Sequence, residues 1–509
     1  MPPREADSSR VSRGGGTVPA PSVSSVFSPG RRGLALAATL LLLLSACRAA
    51  PVPAPAPVVA PTPAAASGQL LDLIERRTFD YFWELTNPAN GLVPDRAPTK
   101  SFSSVAAVGF GLTAYPIGVE RGYVTREGAR KRVLTTLRFL STAPQGPTSR
   151  GVTGYKGFFY HFLDMKTGER YETVELSTID TTLLLAGVLM CQSYFGGPNS
   201  EEAEIRTLAE SIYRRAEWDW AQPHPPLVNH GWKPEVGFLP HDWGGGGYDE
   251  SMILYVLALG SPTHPIAPEA WNRLTERFEW TRFYGQEYVP FNALFGYQYL
   301  HVWIDFRGIQ DGFARAHRVD YFENSRRATY AHRAYAIANP EGFRDYGENV
   351  WGLSACDGPA DVTVTIDGRV RTFHTYWARG CSTKETTDDG TIAPTAATSS
   401  IAFAPEIAVP AIEEMQRRYG DNLFTKYGFL DSFNPTLRTT KVPLKHGRVE
   451  PGLGWFDGDY LGIDQGPIVA MIENYRTQLV WKTMRENPHI VRGLKRAGFT
   501  GGWLDSAAN

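Results

Sequence analysis

The residues of this sequence best placed to do chemistry are carboxylates at the mouths of apolar helices. Trp243-Gly-Gly-Gly-Gly-Tyr248-Asp249-Glu250-Ser251-Met252 leads into an unbroken apolar run from Ile253 to Leu259. Two other segments repeat the arrangement: Glu175-Leu-Ser-Thr-Ile-Asp180, and Trp455-Phe456-Asp457-Gly-Asp459-Tyr460-Leu-Gly-Ile-Asp464-Gln-Gly-Pro467. Aromatic rings offer flat faces on which sugars stack, and carboxylates move protons at a glycosidic bond. Three such junctions in one chain point to a carbohydrate-cleaving cleft.

That chemistry commonly needs one carboxylic acid to protonate the leaving oxygen and one carboxylate opposite it, about 6.5–9.5 Å away for inversion or about 5–5.5 Å for retention. Glu250 is the first candidate for the acid, because burial among Trp243, Tyr248 and an apolar helix start raises a carboxyl pKa. The helix N-terminus pulls the other way, and the neighbouring Asp249 opposes that pull. Asp249 itself reads equally as a helix N-cap. Asp180 is the strongest partner, since an unpaired charge one turn into an apolar helix needs compensation. Glu175 either shares that cleft or caps the helix with Ser177 and Thr178. Asp464 either faces substrate or caps the helix that follows Gln465-Gly466-Pro467. Asp457 and Asp459 fit local turn hydrogen bonds better. Substrate-binding candidates are Trp243, Tyr248, Asp249, His241 with Asp242, Trp455, Phe456 and Tyr460, and Phe158-Phe159-Tyr160-His161 is a possible cleft wall. The binding positions read as core packing unless they lie beside the acids.

Helices must position these groups. Apolar residues at Leu71, Ile74, Phe82 and Leu85 follow the helical period over 70–85. Thr125 is placed to cap a helix over 126–140. Segments 102–120, 179–194, 250–259, 294–306 and 467–482 are apolar nearly all round, so they belong inside. Segments 200–220, 268–280, 323–338 and 406–418 are amphipathic and belong outside. Inner helices alternating with outer ones predict an all-α fold, an (α/α)6 toroid. Val362 to Phe373 alternates around Asp367-Gly368, a hairpin signal, and reads as a small β-hairpin insertion.

The first part of the 509-residue chain is not fold. Residues 1–47 read as a disordered N-terminus plus a lipoprotein-type signal: Arg31-Arg32, a short apolar run from Leu34 to Leu44, then Leu44-Ser45-Ala46-Cys47, with Cys47 the lipidated residue. Residues 48–68 form a Pro- and Ala-rich linker, and 69–509 form the catalytic domain. The expectation is an exported protein, periplasmic or at the cell surface, touching membrane only through its lipid. A net charge of −2 gives no support for nucleic acid. Cys191 reads as a buried thiol, and export permits a Cys356–Cys381 disulfide. No Cys/His grouping has metal spacing, so neither metal nor cofactor is expected, and a monomer is.

Phe79-Asp-Tyr-Phe-Trp83-Glu84, Glu175 to Asp180, Tyr248-Asp-Glu-Ser251 and Asp464-Gln-Gly-Pro-Ile468 resemble the glycoamylase-like family, which includes bacterial endo-β-1,2-glucanases of glycoside hydrolase family 144. The likeness spans about residues 69–505. It implies an (α/α)6 toroid, inverting hydrolysis of a β-glucan, plausibly the β-1,2-linked polymer or its oligosaccharides, no cofactor, and Glu175, Asp180, Glu250 and Asp464 as cleft acids. A transglycosylase on the same substrate, or a non-catalytic glycan-binding surface lipoprotein, remain the competing readings.

Overall fold

The computed structural model describes residues 63–507; Cys47, the signal segment and most of the linker lie outside the described residues. The body is rich in helices of two kinds. One kind is enclosed on every side. Val105–Glu120 buries fourteen of its sixteen residues and Met252–Gly260 all nine, as a sequence apolar all round requires. Thr178–Tyr194, Phe295–Trp303, Pro394–Thr398 and Gly462–Arg476 are likewise mostly buried. The other kind is amphipathic: Pro63–Leu85, Arg126–Thr142, Ser200–Arg214, Tyr321–Ala338 and Pro405–Tyr419 each turn one stripe inward.

The buried helices pack on one another. Val105–Glu120 lies against both Thr178–Tyr194 and Gly462–Arg476, and the latter also meets Phe295–Trp303 and Pro394–Thr398. The first of these contacts depends on glycine. A Cβ on Gly109 would sit 2.2 Å from the Leu183 carbonyl, and one on Gly187 would sit 2.1 Å from the Gly109 carbonyl. Any side chain there would force the two backbones apart and open voids in a close-packed core.

Helix starts follow local chemistry. Thr125 Oγ1 accepts from the Gly128 amide, as expected for a cap. The segment expected over 467–482 divides at Gln478, which adopts a left-handed φ of 63°, into Gly462–Arg476 and Leu479–Arg485. Pro467 therefore lies inside a helix rather than at its start. The helix from Ser200 ends at Arg214, short of the expected 220.

Val362–Ile366 pairs antiparallel with Arg369–Phe373, and Asp367 and Gly368 both take positive φ at the turn. This is the geometry that favours Asp-Gly in two-residue hairpins. The sequence showed none of the many other strands, mostly of two or three residues, which knit the loops leading into the buried helices. Cys356 and Cys381 are separate buried thiols, not a disulfide. Cys356 lies beside the Arg379 guanidinium, and Cys381 packs with Tyr335 and Leu353.

Candidate active site

The acids of two junctions meet at the openings of buried helices. Ser177 caps Thr178–Tyr194: its hydroxyl accepts from the Asp180 amide at 3.2 Å and donates to Asp180 Oδ2 at 2.5 Å. The Ser177 hydroxyl thus caps the helix and at the same time fixes the Asp180 carboxylate at its mouth. The strand Leu176–Ser177 before it pairs with Gly231–Lys233, so Glu175 and His230 arrive at the same place. Thr178 Oγ1 donates to the Asn229 carbonyl at 2.7 Å and accepts from Trp243 Nε1 at 2.9 Å. Trp243 also stacks on His230, with centroids 3.8 Å apart.

The glycine run from Gly244 to Gly247 closes on Asp249. The Asp249 carboxylate accepts from the Gly244 amide at 2.8 Å and from the Ser251 amide at 2.9 Å. Gly244 has φ +75°, and a Cβ there would strike Leu274 at 2.2 Å. Asp249 is therefore spent on holding the loop, which leaves its neighbour Glu250 to project from it. Among the described residues Glu250 makes no side-chain hydrogen bond or ion pair, and it borders a cavity of about 280 Å³ together with His161, Glu175, Asp180, Trp243 and Tyr299.

Inside that cavity the charges are ordered by one imidazole. His161 Nδ1 lies 2.7 Å from Glu175 Oε1, and Nε2 lies 3.4 Å from Asp180 Oδ1. Burial alone would lower the histidine pKa, but Asp180 and Glu175 together raise it to about 9. Burial would likewise raise Glu175, yet the hydrogen bond and charge of His161 bring it down to about 2. His161 is thus an imidazolium and Glu175 a carboxylate at neutral pH. Glu250 is the opposite case. Burial, then the charges of Asp249 and Asp180, raise it to about 8, so it keeps its proton. A neutral carboxylic acid and a cation-bound carboxylate thus border one cavity.

The cavity continues on both sides. Trp243, His230, Glu250 and Phe295 also border an outer hollow of about 750 Å³, whose rim includes His241, Tyr248 and Asp249. Tyr376, which follows the 362–373 hairpin, borders both the central cavity and a third hollow of about 650 Å³ near Arg96 and Asp357. Of the predicted binding residues, Trp243, Tyr248, Asp249 and His241 are thus brought to the cleft. Tyr248 is mostly enclosed and stacks on Tyr297.

The third junction is not. Trp455 and Phe456 are fully buried and Tyr460 nearly so. Trp455 packs with Phe373 and Leu437, Phe456 stacks on Phe433 with centroids 6.1 Å apart, and the Tyr460 hydroxyl accepts from the Tyr427 amide. These rings are core: Gly454–Phe456 is the central strand, paired along both edges with Phe433–Asn434 and Arg448–Glu450, and Tyr460–Leu461 pairs with Arg96–Ala97. Asp464, the third residue of its helix, is buried facing Asp431, and its charge acts on Tyr299 and Tyr376, two walls of the central cavity. Burial raises both carboxyls; the charge and hydrogen bond of Asp464 push Asp431 further up, while the same hydrogen bond lowers Asp464, which stays at about 7, so the pair shares a proton.

Sequence reasoning gave His161 only a wall position and missed His230, Phe295, Tyr299 and Tyr376. The one available signal was the histidine next to three buried aromatics at 158–160; its tie to Glu175 arises from non-local strand pairing.

The Glycoamylase family, described as "Putative glucoamylase", matches residues 240–488. The crystal structure of a "putative glucoamylase" from Bacteroides uniformis is 32% identical, with 86% of this chain and 99% of that chain covered and a TM-score of 0.71. The chain belongs to the glycoamylase family. An endo-β-1,2-glucanase from Chitinophaga pinensis, solved with sophorotriose and glucose, is 26% identical over 86% of this chain and 99% of that one, with a TM-score of 0.70. An exo β-1,2-glucooligosaccharide sophorohydrolase acting at the non-reducing end, from Parabacteroides distasonis, is 28% identical over 465 residues. That alignment covers 84% of this chain, which spans only 57% of the relative's length.

Proposed function

We propose that this family member is a glycoside hydrolase that cleaves β-1,2-glucan with inversion. In this reading Glu250 is the general acid and Asp180 the base that activates water. The observation that carries it is the single cavity bordered by a protonated Glu250 and by Asp180 beside the His161 imidazolium. Burial and neighbouring charge hold Glu250 protonated, as the acid of a hydrolase must be.

Glu250, without a side-chain hydrogen bond among the described residues, donates its proton to the leaving glycosidic oxygen. Asp180, fixed by Ser177 and His161, receives a proton from water attacking the other face of the sugar ring. Glu175 acts through His161 and is a positioning residue. Trp243, locked by Thr178 and stacked on His230, supplies a ring face for a glucose unit. The names of the Chitinophaga and Parabacteroides relatives support the β-1,2 linkage. The alternation of buried and amphipathic helices supports the (α/α)6 ring. The segment from Leu34 to Cys47 supports export as a lipid-anchored protein, checked by metabolic labelling with a radioactive fatty acid in the wild type and a Cys47→Ala variant.

Incubation with linear β-1,2-, β-1,3- and β-1,4-glucans, with product anomers followed by NMR, tests the function. Expected are α-anomeric products first and only from the β-1,2 polymer. First-formed β-anomers would reverse the stereochemistry, and turnover of another linkage alone would reverse the substrate.

A further inference from the structure

A second acidic region lies behind the third hollow, which Asp357 borders. Asp95, Asp357, Asp431, Asp457, Asp459 and Asp464 are all buried. Arg96 answers two of them, with Nε 3.1 Å from Asp95 Oδ2 and Nη1 bonded to Asp357 Oδ2. Asp459 accepts from the Thr99 amide, and Asp431 accepts from the Asp357 amide. Among the described residues Asp457 forms no ion pair. It is completely buried, and among those residues neither of its carboxylate oxygens has a hydrogen-bond partner, nor has the buried Oδ1 of Asp357. An uncompensated buried carboxylate is among the most costly groups a fold can hold.

The same two aspartates lie near an imidazole. One ligand-capable atom from each of Asp357, His446 and Asp457 lies within 4.8 Å of the other two. We propose that Asp357, His446 and Asp457 bind a divalent first-row cation, Zn²⁺ or Mn²⁺, at the edge of the third hollow. The assignment is independent of the glucan reading.

The donor set selects the cation. Two carboxylates with one imidazole suit a borderline first-row ion, whereas Ca²⁺ and Mg²⁺ take oxygen almost exclusively. Bonds of about 2.0–2.2 Å place donors about 3.3–4.2 Å apart around one ion, so a small rotation of the half-buried His446 closes the site. The backbone under the ligands is already fixed. Ser432 Oγ donates to the Asp357 carbonyl at 2.7 Å, while the Ser432 carbonyl accepts from the Asp457 amide at 3.0 Å. Trp455 Nε1 donates to the His446 carbonyl at 2.8 Å, and the Lys445 amide donates to the Pro359 carbonyl at 2.7 Å. The three ligands come from two stretches far apart in the chain, so no linear spacing advertises them. Asp357 and His446 also border the third hollow, so the ion would brace that wall of the cleft.

The test uses untagged protein of the full chain, stripped with a chelator, desalted, and loaded separately with Mn²⁺, Zn²⁺ and Ca²⁺. Expected are one ion per chain retained through gel filtration by elemental analysis, and a rise in Tm with Mn²⁺ or Zn²⁺ but not Ca²⁺. Losing an outer hydrogen-bond partner of a metal ligand typically weakens affinity roughly 10–100-fold, so losing a ligand should weaken it at least that much. Asp457→Asn should abolish retention and the Tm rise. His446→Ala, at the half-exposed position, provides the same readout if the first variant does not fold. No retained ion and no Tm change in the native chain, a Ca²⁺-only effect, or equal metal effects in native and variant proteins would overturn the site.

Discussion

Replacing Glu250 by Gln separates its work as an acid from its burden on the fold. The folded protein keeps the Glu250 proton up to about pH 8, whereas an unfolded glutamate at its ordinary 4.5 has released it. The unfolded state then binds fewer protons, so stability falls as pH rises between those two values. Each pH unit of the gap costs about 1.4 kcal/mol, giving about 3 kcal/mol at pH 7. Water in the open cleft screens the group, which brings the figure to roughly 1–2 kcal/mol. Gln has the same shape and no proton to lose. Urea unfolding should therefore find E250Q equal to wild type near pH 4 and more stable by that amount near pH 7. Hydrolysis of β-1,2-glucan should fall roughly 10²–10⁴-fold, the contribution of a positioned acid, while oligosaccharide binding by calorimetry persists. A stability difference independent of pH, or activity within tenfold of wild type, would refute the assignment.

The same charges set further outcomes. The kcat–pH profile should decline above about pH 8 as Glu250 loses the proton it must donate. In His161→Gln the wild-type stability advantage should be fully present below about pH 6.5 and vanish as pH rises through about 9, because the folded imidazole is raised above its unfolded value; chemical denaturation across pH reads this. Trp243→Ala should raise KM about 2–10-fold through a lost stacking face, measured by initial rates on β-1,2-glucan oligosaccharides. Trp455→Ala should instead lower stability by about 3–5 kcal/mol as a core truncation, with KM unchanged where the chain still folds. Denatured protein should yield reactive thiols from Cys191, Cys356 and Cys381 without reductant, measured with a chromogenic thiol reagent.

Much of the architecture was legible because it is local. Buried helices such as Met252–Gly260 are apolar at every position, and Thr125 and the Asp367-Gly368 turn act through backbone groups two or three residues away. The Pro394–Thr398 helix was not legible, since five residues carry no period. Pro488–Arg496 was overlooked although Asn487-Pro488 is a helix-start signal, with Asn487 accepting from the His489 amide.

The sequence by itself determined the alternation of inner and outer helices and nominated Glu250, Asp180 and Glu175 at helix mouths. Those features depend on composition, period and caps, which act over one or two turns. Only the tertiary structure decided that His161 clamps Glu175 and Asp180, that Asp464 faces Asp431, and that Trp455 and Phe456 are core. A motif fixes which residues stand near a helix start. Whether their side chains meet solvent, a cavity or another strand is fixed by segments far away in the chain, and so is the protonation state that burial and neighbouring charge impose.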